Sequence, residues 1–144
     1  MKFKLFFTAF AALAITASSF AKGPETANVK AQKNLSAEFK EAKEITWSVK
    51  ANLLEASFDW NGQKLQAFYN QDGDQVAISR QITLDKLPVK ALQALNEKYS
   101  GYKTTEAIEF NSSEAGLSYY VSLENGNKKT ILNVSPDGLV SVYK

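Results

Sequence analysis

Turn signals set at regular distances constrain this chain most. Asn-Gly occurs at Asn61-Gly62 and again at Asn125-Gly126, 64 residues apart. Asp-Gly occurs at Asp72-Gly73 and again at Asp137-Gly138, 65 residues apart. Asn-Gly between alternating segments is the strongest short hairpin signal, because both central residues of a type I′ turn need positive φ. The segments between these turns have period two. In "LLEASFDW", Leu54, Ala56, Phe58 and Trp60 share one face, and Leu53, Glu55, Ser57 and Asp59 share the other. "EITWSVK", "QKLQAFYN", "QVAISRQ", "TTEAIEFN", "LSYYVSLE", "KKTILNV" and "LVSVYK" are the other predicted strands. Such a chain must build an antiparallel sheet from hairpins.

Two helical patterns interrupt the strands. Ala31, Leu35, Phe39 and Ala42 recur at spacings of four, four and three. "LPVKALQALNEKY" places Leu87, Val89, Leu92, Leu95 and Tyr99 on a stripe, with Pro88 near the first turn, where its missing N–H costs little. The two helical stretches resemble each other. Set against "PVKALQALNEKYSGYKTTEA" from Pro88, "NVKAQKNLSAEFKEAKEITW" from Asn28 is identical at five of twenty positions. The order helix, Asn-Gly hairpin, Asp-Gly turn occurs in both halves. The expected fold is therefore α+β, with two tandem helix-plus-antiparallel-meander repeats over residues 28–82 and 86–144. Neither half has much core alone, so the halves should pack together.

The amino terminus reads as an address. A basic "MKFK", an apolar "LFFTAFAALAITA" and the small residues Ser19 and Ala21 match a secretory signal cleaved after Ala21. Residues 1–21 are the expected signal peptide, 22–27 a flexible lead-in and 28–144 the domain. The expected location is periplasmic or secreted, with no membrane span after cleavage. There is no Cys, so the fold stands on its hydrophobic core alone. Lys2 and Lys4 belong to the leader, and without them 15 basic residues balance 15 acidic ones. That balance argues against a nucleic-acid or polybasic membrane-surface partner. A share of 44% hydrophobic residues with three prolines marks a globular domain.

The residues just quoted are similar to a known family. A helix bearing Val, Leu and Phe or Tyr leads into "EITW", then "ASFDWNGQKLQAFYNQDGDQVA", then a strand into "LDKLPVKALQALNEKY". Over Asn28 to Lys144 the chain resembles the PepSY-like, β-lactamase-inhibitor-like secreted proteins of Bacteroidetes-type bacteria. The resemblance implies helices on one face of an antiparallel sheet, with the other face open. It implies inhibition or regulation of an enzyme such as a peptidase. The β-lactamase inhibitor itself is disulfide-bonded, and this chain departs from it in having no Cys.

The chemistry open to the chain is narrow. With no His and no Cys, most general-base triads, thiol nucleophiles and zinc sites are absent. "SGYK", Ser100 to Lys103, matches the Ser-x-x-Lys pattern of penicillin-interacting enzymes, but the companion Ser-Asp-Asn and Lys-Thr-Gly elements are missing. Ser100 falls where a helix ends, with Gly101 as a C-cap. "NQDGDQ" sets Asn70, Asp72 and Asp74 at alternate positions, but the Gly is misplaced for a calcium loop and position twelve is Gln81, so a plain turn is expected. Glu55 with Asp59, and Glu106 with Glu109, read as solvated strand faces. No catalytic, cofactor or metal residue is assigned, and no enzymatic activity is expected.

The aromatics say more. Trp47, Phe58 and Trp60 fall on apolar strand faces and read as core. Phe68 and Tyr120 are out of phase with the apolar side of their strands. Tyr120 shares its face with Ser122 and Glu124, and Phe68 shares its face with Gln66. Aromatics on a polar strand face either pack at a bend or anchor a partner. Phe68, Tyr120, Gln66, Ser122 and Glu124 are thus the candidate protein-binding residues. The expected function is an exported binding module for another protein. The alternative is a self-associating structural protein of the envelope, and the sequence leaves the oligomeric state open.

Overall fold

A computed structural model describes residues 28–144. The expected signal peptide and lead-in lie outside the described residues. Eight strands run in chain order: β1 (Lys43–Lys50), β2 (Leu53–Trp60), β3 (Gln63–Tyr69), β4 (Gln75–Gln81), β5 (Lys103–Ser112), β6 (Gly116–Asn125), β7 (Lys128–Val134) and β8 (Val140–Val142). Helix α1 (Val29–Glu38) precedes β1. A 3₁₀ turn (Leu84–Lys86) and helix α2 (Val89–Lys98) lie between β4 and β5.

The expectation of two tandem helix-plus-meander repeats is overturned. All eight strands form one sheet in the order β1 to β8, every neighbour antiparallel. β4 pairs directly with β5, from Ala77 opposite Ser112 to Gln81 opposite Ile108. The fold is a single, mostly β meander carrying two short helices. The physical reason is the edge of a sheet: two separate meanders would each expose unpaired backbone N–H and C=O groups on both sides. Pairing β4 with β5 removes two such edges and, among the described residues, leaves only β1 and β8.

Register places both helices on the same face. Leu54, Ala56 and Phe58 stand opposite Tyr69, Ala67 and Leu65, and this group packs with Ala31, Leu35 and Phe39 of the α1 segment. Tyr119 and Val121 stand opposite Val134 and Leu132 and pack with Leu87, Ala91 and Leu95. Across the middle of this face, Arg80 Nε and Nη2 donate to Glu109 Oε1 and Oε2 at 2.9 and 3.1 Å. Each helix has ten residues, too short to persist alone in water, so the sheet holds it. The α2 stripe is Leu87, Ala91 and Leu95 at spacings of four. Val89 was expected on it, but falls on the other side and is 70% exposed.

The turns refine the expectation. Asn61 (φ 49°) and Gly62 (φ 76°) form the type I′ loop expected between β2 and β3. The second Asn-Gly does not repeat it. β6 runs through Asn125, so the loop is Gly126–Asn127 and only Gly126 (φ 58°) is left-handed, a type II′ pattern. The β1–β2 loop uses Ala51 (φ 48°) and Asn52 (φ 69°), a I′ geometry without glycine. Gly101 does not have positive φ, so it is not the expected left-handed cap. α2 instead ends with the Tyr99 N–H donating to the Leu95 carbonyl at 2.9 Å.

The two Asp-Gly turns seat the helices. Asn28 caps α1, its Oδ1 accepting from the Lys30 N–H at 2.8 Å. Its Nδ2 donates to the Gln71 carbonyl at 2.7 Å, and Asn34 donates to the Gly73 carbonyl at 2.9 Å. A Cβ on Gly73 would lie 2.9 Å from the Ala31 nitrogen, and one on Gly138 would lie 2.7 Å from Lys90 Cβ. Two of the three side chains singled out in "NQDGDQ" are engaged in this seat: Asn70 Oδ1 accepts from the Asp74 N–H at 2.9 Å, and Asp74 pairs with Lys30 at 2.6 Å.

Candidate protein-binding surface

The face opposite the helices is built by the other phase of every strand. Ser57 stands opposite Gln66 and Glu55 opposite Phe68. Phe68 stands opposite Ala77, and Ser79 opposite Phe110. Ile108 faces Tyr120 and Glu106 faces Ser122. Ser122 faces Ile131 and Glu124 faces Lys129. All five candidate residues, Gln66, Phe68, Tyr120, Ser122 and Glu124, therefore project from this one helix-free face.

Their environments differ. Phe68 is 6% exposed and sits in a second core with Ala77 and Phe110. Phe68 is therefore a core residue and not the solvent-facing anchor the alternation suggested. Ile108, Glu55 and Ser79 on the same face are also buried. Among the described residues neither helix packs on this face. Tyr120 is half-buried. Its ring packs edge-on to Phe110 at 6.2 Å and to Tyr143 at 5.2 Å, and Phe110 packs on Phe68 at 6.0 Å. The result is an aromatic row across the sheet, buried at Phe68 and open to solvent at Tyr120 and Tyr143. Burial, and then the neighbouring Tyr120, raise the pKa of the Tyr143 hydroxyl.

A polar chain borders the row. Glu55 is 4% exposed. Its Oε2 pairs with Lys50 Nζ at 2.8 Å, and its Oε1 accepts from Gln66 Nε2 at 3.0 Å and Ser57 Oγ at 3.3 Å. Gln66 Oε1 in turn accepts from Ser79 Oγ at 3.3 Å. Glu55 is thus not on a solvated face as expected. The partners that satisfy it fix the register of β2, β3 and β4 side by side. Asp59 pairs instead with Lys64 at 3.2 Å. Glu106 and Glu109 lie on opposite faces of β5.

Beside Tyr120 the face opens into a pocket of about 200 Å³, with Tyr120, Ser122 and Glu124 among its walls. Gln66 and Phe68 lie outside it. The sequence reading missed Glu106, Ile108, Phe110 and Tyr143. A signal existed for two of them: in β5 Ala107, Ile108 and Phe110 are all buried, and apolar residues in both phases mark a strand covered on both sides. Nothing in "LVSVYK" showed that Tyr143 would reach Tyr120.

No known protein family model matches this chain, and no curated protein does. Solved structures do. A DUF2874 family protein of Bacteroides uniformis superposes with a TM-score of 0.73 at 19% identity, over 82% of this chain and 87% of its own. A Bacteroides eggerthii protein, provisionally described as periplasmic, gives a TM-score of 0.74 at 20% identity over 81% and 86%. A BLIP-like protein of Bacteroides fragilis gives 0.68 at 20% identity over 79% and 82%. This likeness establishes the shared fold. One of the three is itself described as BLIP-like, and none is described in PepSY terms. Among the described residues no helix is long and apolar enough to cross a membrane.

Proposed function

We propose that the chain is an exported, non-enzymatic module that binds another protein through its helix-free face, around Tyr120. The observation that carries this reading is the aromatic row, sealed into the core at Phe68 and open at Tyr120 and Tyr143 beside a pocket. A Tyr fixed by its neighbours presents large contact area with little rotamer entropy left to lose. The finer reading is an inhibitor or regulator of an envelope or secreted enzyme such as a peptidase. The BLIP-like and provisionally periplasmic structural neighbours support it by analogy of fold. Export rests on residues 1–21, and the mature chain should begin at Lys22.

The test is photo-crosslinking in the native envelope, with a benzophenone amino acid at Ser122 and, as control, at exposed Glu97 on α2. A discrete heterologous adduct from position 122, absent from 97 and lost with Tyr120→Ala, supports the reading. Adducts indistinguishable between the two positions overturn it. Adducts only between copies of the chain would favour self-association instead. One feature supports that alternative: β1 is an eight-residue edge strand exposing Ile45 (40%) and Val49 (52%).

A further inference from the structure

Strand β1 is an edge of the sheet, and among the described residues no strand lies on its outer side. It is eight residues long, whereas β8 at the opposite edge has three. A long edge presents unpaired backbone N–H and C=O groups, which template a further strand unless proline, a bulge or charge blunts them. β1 has no proline. Its bulge lies between Lys43 and Thr46, and from Thr46 to Lys50 the pairing with β2 is regular. The two-residue Ala51-Asn52 loop makes Lys50 and Leu53 the closing hydrogen-bonded pair. Hydrogen-bonded pairs alternate along an antiparallel ladder, so Ser48 with Glu55 and Thr46 with Ser57 are the next two. The N–H and C=O groups of Trp47 and Val49 therefore point outward, away from β2.

We infer that β1 pairs antiparallel with β1 of a second copy, about a two-fold axis beside Trp47. The sequence "KEITWSVK" selects this register. Only an axis beside a residue, not between two residues, sets outward groups opposite outward groups. Beside Trp47 it also sets Val49 opposite Ile45, Ser48 opposite Thr46 and Lys50 opposite Glu44 of the second copy. Apolar meets apolar, hydroxyl meets hydroxyl and ammonium meets carboxylate, twice over by symmetry. An axis beside Thr46 would set Val49 opposite Lys43, and one beside Ser48 would set Lys50 opposite Thr46. Ile45 and Val49 are 40% and 52% exposed, and the pairing takes both from water. Glu44 is exposed, and Lys50 keeps 41% of its side chain exposed while it pairs with Glu55. Their meeting fixes register more than it adds affinity. The edge is separate from the helix-free patch: four strands lie between β1 and β6, so the two are roughly 24 Å apart at ordinary strand spacing. The dimer leaves the surface around Tyr120 uncovered, and the inference stands independently of the docking reading above.

The test is sedimentation velocity of the exported chain. It should pass from monomer to dimer between about 5 and 500 µM, as a small interface of weak affinity does. Val49→Lys, an edge charge of the kind that blocks strand pairing, should weaken the dimer by about tenfold or more with an unchanged circular dichroism spectrum. The chain has no Cys, so introduced cysteines report the register. With diamide as oxidant, Thr46→Cys mixed with Ser48→Cys should form a disulfide between copies at least roughly tenfold faster than either variant alone, because only opposed positions reach disulfide geometry. A chain that stays monomeric throughout overturns the inference, as does a dimer that Val49→Lys leaves intact. Faster crosslinking of either single variant alone would move the axis and overturn the register. Capture of a different envelope protein by the Thr46→Cys chain, with no dimer, would overturn the inference in favour of a heterologous strand.

Discussion

Substituting Gly73 by Ala tests whether the Asp-Gly turns really seat the helices. Gly73 has φ +83°, and its added Cβ would lie 2.9 Å from the Ala31 nitrogen and 2.9 Å from Lys30 Cβ. Two costs follow. A left-handed conformation costs a non-glycine residue about 1–2 kcal/mol, and overpacking a rigid site adds about 1–3 kcal/mol. Ala31 cannot retreat, because it is a residue of α1 that is 0% exposed and packed against the sheet. The loss of unfolded-chain freedom returns about 0.4–1 kcal/mol. Gly73→Ala should therefore destabilise by about 2–4 kcal/mol. Gly62 is the internal control, with φ +76° and nothing within 4 Å of its added Cβ. It carries the conformational cost alone, so Gly62→Ala should lose no more than about 1.5 kcal/mol. Urea unfolding of both variants at equal m-value measures the difference. Equal losses for Gly62→Ala and Gly73→Ala would refute the seat, leaving only backbone strain common to both turns.

Leu35→Ala and Leu95→Ala should each cost about 2–4 kcal/mol in the same assay, because both side chains are buried beneath their helices; a loss below about 0.5 kcal/mol in either would place that helix on the wrong face. Phe68→Ala should cost about 3–5 kcal/mol as a core truncation, while Tyr120→Ala, half-buried, should cost only about 1–2 kcal/mol from its ring contacts with Phe110 and Tyr143; the reverse order would move the open end of the row to Phe68. The Tyr69 hydroxyl is buried without a hydrogen-bond partner among the described residues, and burial, then Glu38, raise its pKa. The unfolded chain therefore ionises first, and stability present below about pH 10, the ordinary tyrosine value, is lost as pH rises above it. Tyr69→Phe should leave neutral stability unchanged or slightly higher and flatten that alkaline loss, and an unchanged alkaline slope would exclude Tyr69 as its source.

The alternation in "LLEASFDW" and "LSYYVSLE" was enough to sort residues between two faces. A strand's period is set by its backbone, so Leu54 and Phe58 lie on one side and Tyr120 and Ser122 on the other wherever the strand sits. The stripe Ala31, Leu35, Phe39 and the I′ turn at Asn61-Gly62 were legible for the same reason: both are local. The candidate surface was legible to that extent and no further. Which side of a strand is covered depends on what packs above it. Phe68 was read as exposed because its phase differs from that of Leu65 and Ala67, yet Phe110, more than forty positions away, buries it.

Local signals also failed wherever a partner strand decided the outcome. The one-residue extension of β6 moves its turn from Asn125-Gly126 to Gly126–Asn127, and it follows from pairing with Lys128 across the hairpin. The halves resemble each other in sequence, but the resemblance carries no information about the ladder from Ala77–Gln81 to Ile108–Ser112 that merges them into one sheet. By itself the sequence determined the strands, the helical stripes, the two faces and the poverty of catalytic chemistry, because periodicity and residue inventory need no neighbours. Only the tertiary structure decided the single sheet, the burial of Phe68 and Glu55, the seating of both helices on Asp-Gly turns, and the meeting of Tyr120 with Tyr143. Each of these depends on backbone hydrogen bonds or side-chain contacts between segments far apart in the chain.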